Sequence, residues 1–423
     1  MFTVLLHLSC TFMTMDIPDV VIDDLPPANF SLRICVVTET YPPDVNGVSL
    51  TLAKTVAGLR ESGHHVCLVR PRHQDHQPQT QGELEQHWVR GVPLPMYRHV
   101  RLGLPATRML KRLWARQRPD LVHIATEGPL GWSALRLALK MKIPVSSDFR
   151  TNFHSYSQHY RMGWLRGPIL RYLKKFHNSA HCTMVPTKEL LNELTKMGFL
   201  RLHHVPRGVD TTRFDPAYRS SELRQTWGVD DDTLVLICVS RLAAEKNLEL
   251  LFGTWRHMLG KGARAKLVLV GDGPLREQWQ REHPDVIFAG FQTGEQLSAH
   301  YASADLFVFP SQTETFGNVT LEAMASGLAV LAYRCAAAGE LIESGVEGVL
   351  VDGSAATFME SGWQMSLSVE ALRLMGAKGR ERALRCSWPQ VIAQTEEVMR
   401  NITQTTPMWL DRFNGFASGQ SSD

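Results

Sequence analysis

The amino-acid sequence predicts an α/β protein built from two doubly wound parallel sheets that face each other across a cleft. Three observations carry that expectation. The chain has 423 residues, beyond the roughly 250–300 residues at which a single core stops growing. Short apolar runs alternate with segments of helical spacing in two separate series, the pattern of parallel strands joined by crossover helices. Between the two series, residues 206–232 are rich in Pro, Gly, Asp and Arg, a composition suited to a linker.

The first series opens with a strand at 32–37, passes through a helix at 47–62 and returns as a strand at 65–70. Further strands are expected at 121–124, 143–147 and 182–185, with helices at 106–117, 130–140 and 188–197. The second series places strands at 234–239, 266–270, 286–288, 305–309, 329–332 and 348–351, each separated by a helical segment. The domain plan is therefore a disordered extension over 1–30, a Rossmann-like domain over 31–207, a linker over 208–232, a second Rossmann-like domain over 233–403 and a tail over 404–423. Residues 1–15 are partly apolar but lack the basic start and small-residue cleavage site of a signal peptide.

Composition removes several function classes. A net charge of +3 gives no reason to expect a nucleic-acid partner. The seven cysteines form no C-x-x-C pair and mostly sit in apolar runs, as buried reduced thiols of a cytosolic protein do. No stretch approaches the roughly 18 uninterrupted apolar residues of a membrane-spanning helix.

The run PSQTETFGNVTLEAMASGLA at 310–329 is the most informative. It sets Glu314 and Glu322 eight residues apart around a glycine. On one continuous helix they would lie about 80° apart, so Glu314 is better placed on a loop and Glu322 on the second turn of the helix that follows. Gly317 and Asn318 then stand where strand gives way to helix, and a helix start favours phosphate. Arg241 and Lys246 follow the first strand of this series, where two cations neutralise a diphosphate leaving group. Gly271 and Gly290 end the next two strands; either serves equally as a tight turn. In the first series, Gly47 follows a Pro-Pro turn and opens a helix, so a backbone N–H there can approach a phosphate. His123 and His154 end or follow strands and suit a base or a sugar contact.

Between Arg90 and Pro119 there is no acidic residue, while Arg98, Arg101, Arg108, Lys111, Arg112, Arg116 and Arg118 are basic. Arg161, Arg166, Arg171, Lys174 and Lys175 follow, interleaved with Trp164, Tyr172 and Phe176. Such helices suit an anionic membrane surface, and equally the solvated face of a domain.

Taken in order, PPDVNGV at 42–48, VHIATEGP at 122–129, FRTNFH at 149–154, RGVD at 207–210, Arg241 with EKN at 245–247, GDGP at 271–274 and the span from Glu314 to Glu322 resemble the large retaining GT-B glycosyltransferase family. That family includes phosphatidylinositol mannosyltransferases, sulfoquinovosyl diacylglycerol synthases, sucrose synthase and bacterial glycogen synthase. The resemblance covers roughly residues 32–400 and implies two Rossmann-like domains, the first binding acceptor and the second binding a nucleotide sugar. It implies that Arg241 and Lys246 hold the donor diphosphate, that Gly317, Asn318 and Val319 present backbone amides to it, that Glu322 binds the ribose and that Glu314 contacts the donor sugar. Gly47 closes the site from the other domain, and Gly290 joins the donor-binding set. No metal and no other cofactor is implied.

Two departures from the family pattern stand on the acceptor side. The histidine that its mannosyltransferases often carry after the 121–124 strand is displaced, leaving Glu127 and His154 as substitutes, and Arg150 stands where many relatives have histidine. The motif wording is closest to enzymes that move mannose from GDP-mannose to a lipid or glycan hydroxyl, at the inner face of the cytoplasmic membrane. A UDP-sugar-dependent glycolipid synthase is the near alternative; a nucleotide-sugar epimerase and a non-catalytic nucleotide-sugar-binding scaffold are the remaining readings.

Overall fold

The computed structural model describes residues 31–44, 46–72, 84–94, 97–150, 166–230 and 232–405. In the first half the strands are β1 (Arg33–Val37), β2 (His65–Pro71), β3 (Glu85–Val89), β4 (Gly91–Leu94), β5 (Tyr97–Gly103), β6 (Leu121–Ile124), β7 (Val145–Asp148), β8 (Cys182–Val185) and β9 (Leu202–His204). Seven of them form one sheet in the order β3-β2-β1-β6-β7-β8-β9, and β4 pairs with β5 as a separate antiparallel ribbon. The second half adds β10 (Leu234–Val239), β11 (Ala265–Val270), β12 (Ile287–Gly290), β13 (Leu306–Phe309), β14 (Ala329–Tyr333) and β15 (Gly348–Val351), in the order β12-β11-β10-β13-β14-β15. The neighbouring pairs in both large sheets are parallel.

A parallel sheet must be covered on both faces, so its central strands are apolar throughout. In β1 the alternation of side chains divides the two covers. Ile34 and Val36 join a cluster with Leu52, Val56 and Leu59 of the Gly47–Glu61 helix, while Cys35 and Val37 join one with Leu110, Trp114, Leu130 and Ala134 from the opposite face. The second half has a larger core centred on β10, β13 and β14, whose residues are all buried.

The Ile34 cluster also contains Val391, Ile392, Met399 and Ile402 of the terminal Trp388–Thr405 helix. The last helix of the expected second domain, 233–403, thus packs on the first sheet. Its apolar residues complete a face that the Gly47–Glu61 helix leaves uncovered. Residues 208–232 are likewise more than a spacer, since Val209, Phe214, Trp227 and Val229 are buried in the second core. The expected extension over 1–30 and residues 406–423 lie outside the described residues.

The chain passes between the halves twice, and the crossings touch: Val209 N donates to Cys386 O at 3.0 Å and Val209 bridges Ser387. Elsewhere each half caps a helix of the other. Glu340 accepts from Lys188 N at 3.0 Å, Glu189 accepts from Ala336 N at 3.1 Å, and His204 Nε2 stands 2.9 Å from Glu340.

Because Ile392 belongs to the core of the first half, Ile392→Ala should cost about 2–5 kcal/mol there. Hydrogen exchange is expected to quicken in β1 and the Gly47–Glu61 helix while β10 and β13 keep their protection. The opposite distribution would contradict this assignment of the last helix.

Candidate active site

Both sheets reverse their strand order at one point, between β1 and β6 and between β10 and β13. Loops leaving the carboxyl ends of such strands part in opposite directions and open a crevice for ligands. In the second half the two loops are 240–247 and 310–317. Asn247, in the left-handed region at φ 55°, donates from Nδ2 to Pro310 O at 3.2 Å and so fastens one loop to the other.

Across this junction Lys246 Nζ meets Glu314 Oε1 at 2.5 Å, and Ser311 Oγ donates to the same oxygen at 2.8 Å. The pair is only partly open, with side-chain exposures of 18% and 14%, so its field is less screened than that of a surface pair. Arg241 lies on the rim, more exposed, with its guanidinium on Glu245. Gly317 turns the chain from the Glu314 loop into the Asn318–Ala325 helix at φ 84°, a conformation that strains a residue with a Cβ. No side chain caps this helix start and no acidic residue occupies its first turn, which leaves the positive end of the dipole to face a ligand. Gly317, Asn318 and Val319 are all partly exposed there.

Glu322 lies on the second turn of that helix. Tyr301, itself fully buried, donates its hydroxyl to Glu322 Oε2 at 2.9 Å. Burial raises the Glu322 carboxyl above its ordinary range, opposed by the Tyr301 hydrogen bond and the Arg213 charge. Gly290 ends the edge strand β12 at φ 73°; its carbonyl accepts from Gly271 N at 2.8 Å, and Arg276 stands beside it.

From the first half, Gly47 begins its helix beside the helix start just described. A Cβ built on Gly47 would lie 3.8 Å from Asn318 Nδ2. Its loop is fixed by Asn46, which accepts from Ser49 N at 2.9 Å, and by Arg70, which donates to the carbonyls of Tyr41 and Pro42 and stacks 4.4 Å from the Trp88 ring. Glu127 follows β6, and burial pushes its carboxyl up to about 7, with Arg150 opposing and Asp148 adding to the rise.

His154 lies outside the described residues. His123 does not face the cleft. It is buried, with Nδ1 2.9 Å from Ser146 Oγ and Nε2 3.6 Å from Asp148. Arg150 donates to Asp148 and, at 2.6 Å, to Thr51 Oγ1. Burial alone would raise the Asp148 carboxyl, but Arg150, Arg207 and His123 hold it well below the usual range.

Sequence reasoning brings Lys246, Glu314, Gly317, Asn318, Val319 and Glu322 to one region, with Gly47 opposite. It does not find Ser311, Tyr301, Arg213 or the Asp148 cluster. Ser311 had a signal, its place three residues before Glu314 in the loop; Tyr301 had none, being 21 residues from Glu322. Among the described residues, no group of three or more His, Cys, Asp or Glu is arranged to hold a metal ion.

Residues 45–213 match the family described as Glycosyltransferase Family 4, and residues 233–363 match Glycosyl transferases group 1. The chain is 33% identical over 323 residues to a GDP-mannose-dependent alpha-mannosyltransferase of Corynebacterium glutamicum, covering 76% of this chain and 77% of that protein. The chain belongs to the glycosyltransferases. This glycosyltransferase is also 31% identical to a GDP-mannose-dependent alpha-mannosyltransferase of Mycolicibacterium smegmatis, over 85% of its own length and 95% of the relative. It is 31% identical to a sulfoquinovosyl transferase of Arabidopsis thaliana, over 75% of its length and 62% of that protein. Among solved structures, sucrose-phosphate synthase from Thermosynechococcus elongatus superposes with a TM-score of 0.73 at 18% identity, covering 88% of the glycosyltransferase and 99% of the synthase. That likeness shows the fold, the two-domain GT-B arrangement. The enzyme is a hexosyltransferase. Among its described residues no helix is long and apolar enough to cross a membrane.

Tyr301→Phe removes the hydroxyl that stabilises ionised Glu322. The Glu322 titration should therefore move further upward, so that the carboxylate is protonated at higher pH than in the parent. Carbon-13 NMR of the glutamate carboxyls checks this, and an unmoved or lowered midpoint would contradict the assigned hydrogen bond.

Proposed function

We propose that this glycosyltransferase moves mannose from GDP-mannose to a hydroxyl of a lipid or glycan acceptor, with retention of anomeric configuration. The observation that carries the reading is the Lys246–Glu314 pair beside an uncapped helix start at the switch point of the second sheet. The relatives named for GDP-mannose and alpha-mannosyl transfer support the choice of donor.

In this reading Lys246, Arg241 and the backbone amides of Gly317, Asn318 and Val319 stabilise the departing diphosphate, a form of charge compensation worth most where water is excluded. They take the part that a metal ion plays elsewhere, so the reaction needs none. Glu322, oriented by Tyr301, receives the ribose hydroxyls, since a carboxylate accepts two hydrogen bonds from a diol. Glu314, held by Lys246 and Ser311, meets the sugar. Gly290 borders the nucleotide, and Gly47 lets the first domain approach. On the acceptor side Glu127 meets the incoming hydroxyl, with His154 as the other group assigned to it.

The bond from the anomeric carbon to the β-phosphate oxygen breaks as the acceptor oxygen attacks the same face. The acceptor proton passes to the leaving phosphate oxygen, so no nucleophile from the protein is required. Lys246→Ala and Glu314→Ala should each lower kcat/KM by more than tenfold, a loss of about 1.4 kcal/mol or more of transition-state stabilisation. Full turnover in both variants would refute the site. In a thermal-shift panel GDP-mannose is expected to raise Tm more than UDP-glucose. The reverse order would favour the second reading, a UDP-sugar-dependent glycolipid synthase, which draws on the relatedness to the sulfoquinovosyl transferase and to an alpha-monoglucosyldiacylglycerol synthase of Streptococcus pneumoniae.

The enzyme docks peripherally on the inner face of the cytoplasmic membrane. Arg108, Lys111, Arg112 and Arg116 are exposed on the Thr107–Arg116 helix, followed by exposed Arg118, and Arg171, Tyr172 and Lys175 are exposed on the Arg166–Ser179 helix. Cations near an anionic surface contribute about 1 kcal/mol each and are screened by salt. Binding to vesicles containing phosphatidylglycerol should therefore be strong at low salt and fall steeply as salt rises. Equal binding to phosphatidylcholine vesicles would overturn this part.

A further inference from the structure

Glu39 is a buried carboxyl that the donor chemistry leaves unused. It follows β1 directly, and Glu127 follows β6, so the two stand at the switch point of the first sheet. Glu39 is 7% exposed. Its N–H donates to Thr126 Oγ1 at 2.9 Å, and its Oε1 accepts from Leu130 N at 3.2 Å in the first turn of the Pro129–Lys140 helix. The loop that carries Glu127 is thus held by Glu39 at both ends. The fit requires glycine at 128, since a Cβ there would fall 2.0 Å from Glu39 Oε1.

We infer that Glu39 is a positioning residue for transfer, forming with Glu127 one electrostatically coupled carboxyl pair that sets the charge presented to the acceptor hydroxyl. The inference rests on the reading of Glu127 as an acceptor-side group. Two carboxyls in one desolvated crevice resist ionising together, and their protons leave in steps that belong to the pair. Burial pushes Glu39 up to about 7, Leu130 N opposes, and the charge of Glu127 adds to the rise. Glu127 is pushed up to about 7 as well, by burial first, with its own backbone hydrogen bond and the Arg150 charge opposing and the Asp148 charge adding to the rise. Among the described residues Tyr172 also faces the pair; its hydroxyl donates to Glu127 O, and its own ionisation is disfavoured first by burial and then by both carboxylates. The charge of Glu127 disfavours ionisation of Glu39, and a coupling of this kind is reciprocal, so the charge of Glu39 disfavours that of Glu127.

The test uses the full chain labelled with carbon-13 in its glutamate carboxyls and titrated by NMR, with each resonance assigned by its own substitution. Glu39→Gln keeps an acceptor for Leu130 N while removing the charge, so the midpoint of Glu127 should fall by about 0.5 pH unit or more. Glu127→Gln should lower that of Glu39 in return. Midpoints that ignore the loss of the partner would overturn the pair. Gly128→Ala, which displaces the Glu39 carboxylate without removing it, should also lower the Glu127 midpoint; an unmoved midpoint would count against the coupling.

Turnover of GDP-mannose with water as acceptor supplies the second readout. Glu39→Gln should shift the acidic limb of its pH profile downward in parallel with the Glu127 midpoint. A fall in rate with the limb unmoved would reduce Glu39 to a structural cap. If Glu127→Gln leaves turnover intact, the acceptor-side reading fails, whereas the NMR midpoints still decide whether the two carboxyls are coupled.

Discussion

Parallel strands carry their carboxyl ends to one edge of a sheet, and that constraint organises this molecule. Each sheet sends its loops to one side, and each reverses its strand order once, between β1 and β6 and between β10 and β13. The chemistry-bearing residues collect at these two reversals. At the second lie Lys246, Glu314 and the Asn318–Ala325 helix start; at the first lie Glu39 and Glu127. Gly47 and Asn318 meet where the halves approach each other. The fold thus sets the location, and side-chain chemistry gives each edge its task.

The two edges differ in electrostatic character. The edge of the second sheet gathers positive charge, since the helix start adds its dipole to Lys246, and Glu314 orients that lysine. The edge of the first sheet is more evenly balanced. Asp148 lies among Arg150, Arg207 and His123, and burial beside Arg150 brings the Arg207 guanidinium down to about 10. Breaking such a buried group by removing one member leaves an uncompensated charge. The cluster joins β6, β7 and the first residues past β9 and, through Thr51, the helix that begins at Gly47. It therefore fixes the frame in which Glu127 sits.

The sequence made the architecture legible where strands were apolar on both faces. β10, β13 and β14 were found almost to the residue because a central parallel strand has no polar side. β3, with the sequence EQHWV and mostly half-buried residues, was missed because an edge strand carries no such pattern, and the three-residue β9 was missed because it is short. The terminal helix follows the second series yet packs on the first sheet, which its sequence does not show because apolar residues specify a partner surface without naming it. At the site, Glu314, Gly317 and Glu322 were legible as one local run. Tyr301 and Asp148 were not, since their partners are brought to them by sheet packing. His123 looked cleft-facing only because it ends a strand; β6 is covered on both faces, so its side chain is buried beside Ser146 and Asp148.

The paired crossings at Val209 and Ser387 bear on how the two halves can move. Two bodies joined by adjacent chain segments that are hydrogen-bonded to each other cannot slide past one another without breaking that joint. Rotation about it, in the manner of a door on one pin, is the freedom left. The exchanged caps from Glu189 to Ala336 and from Glu340 to Lys188 are further cross-links between the halves, so a rotation that parts the halves must break them as well.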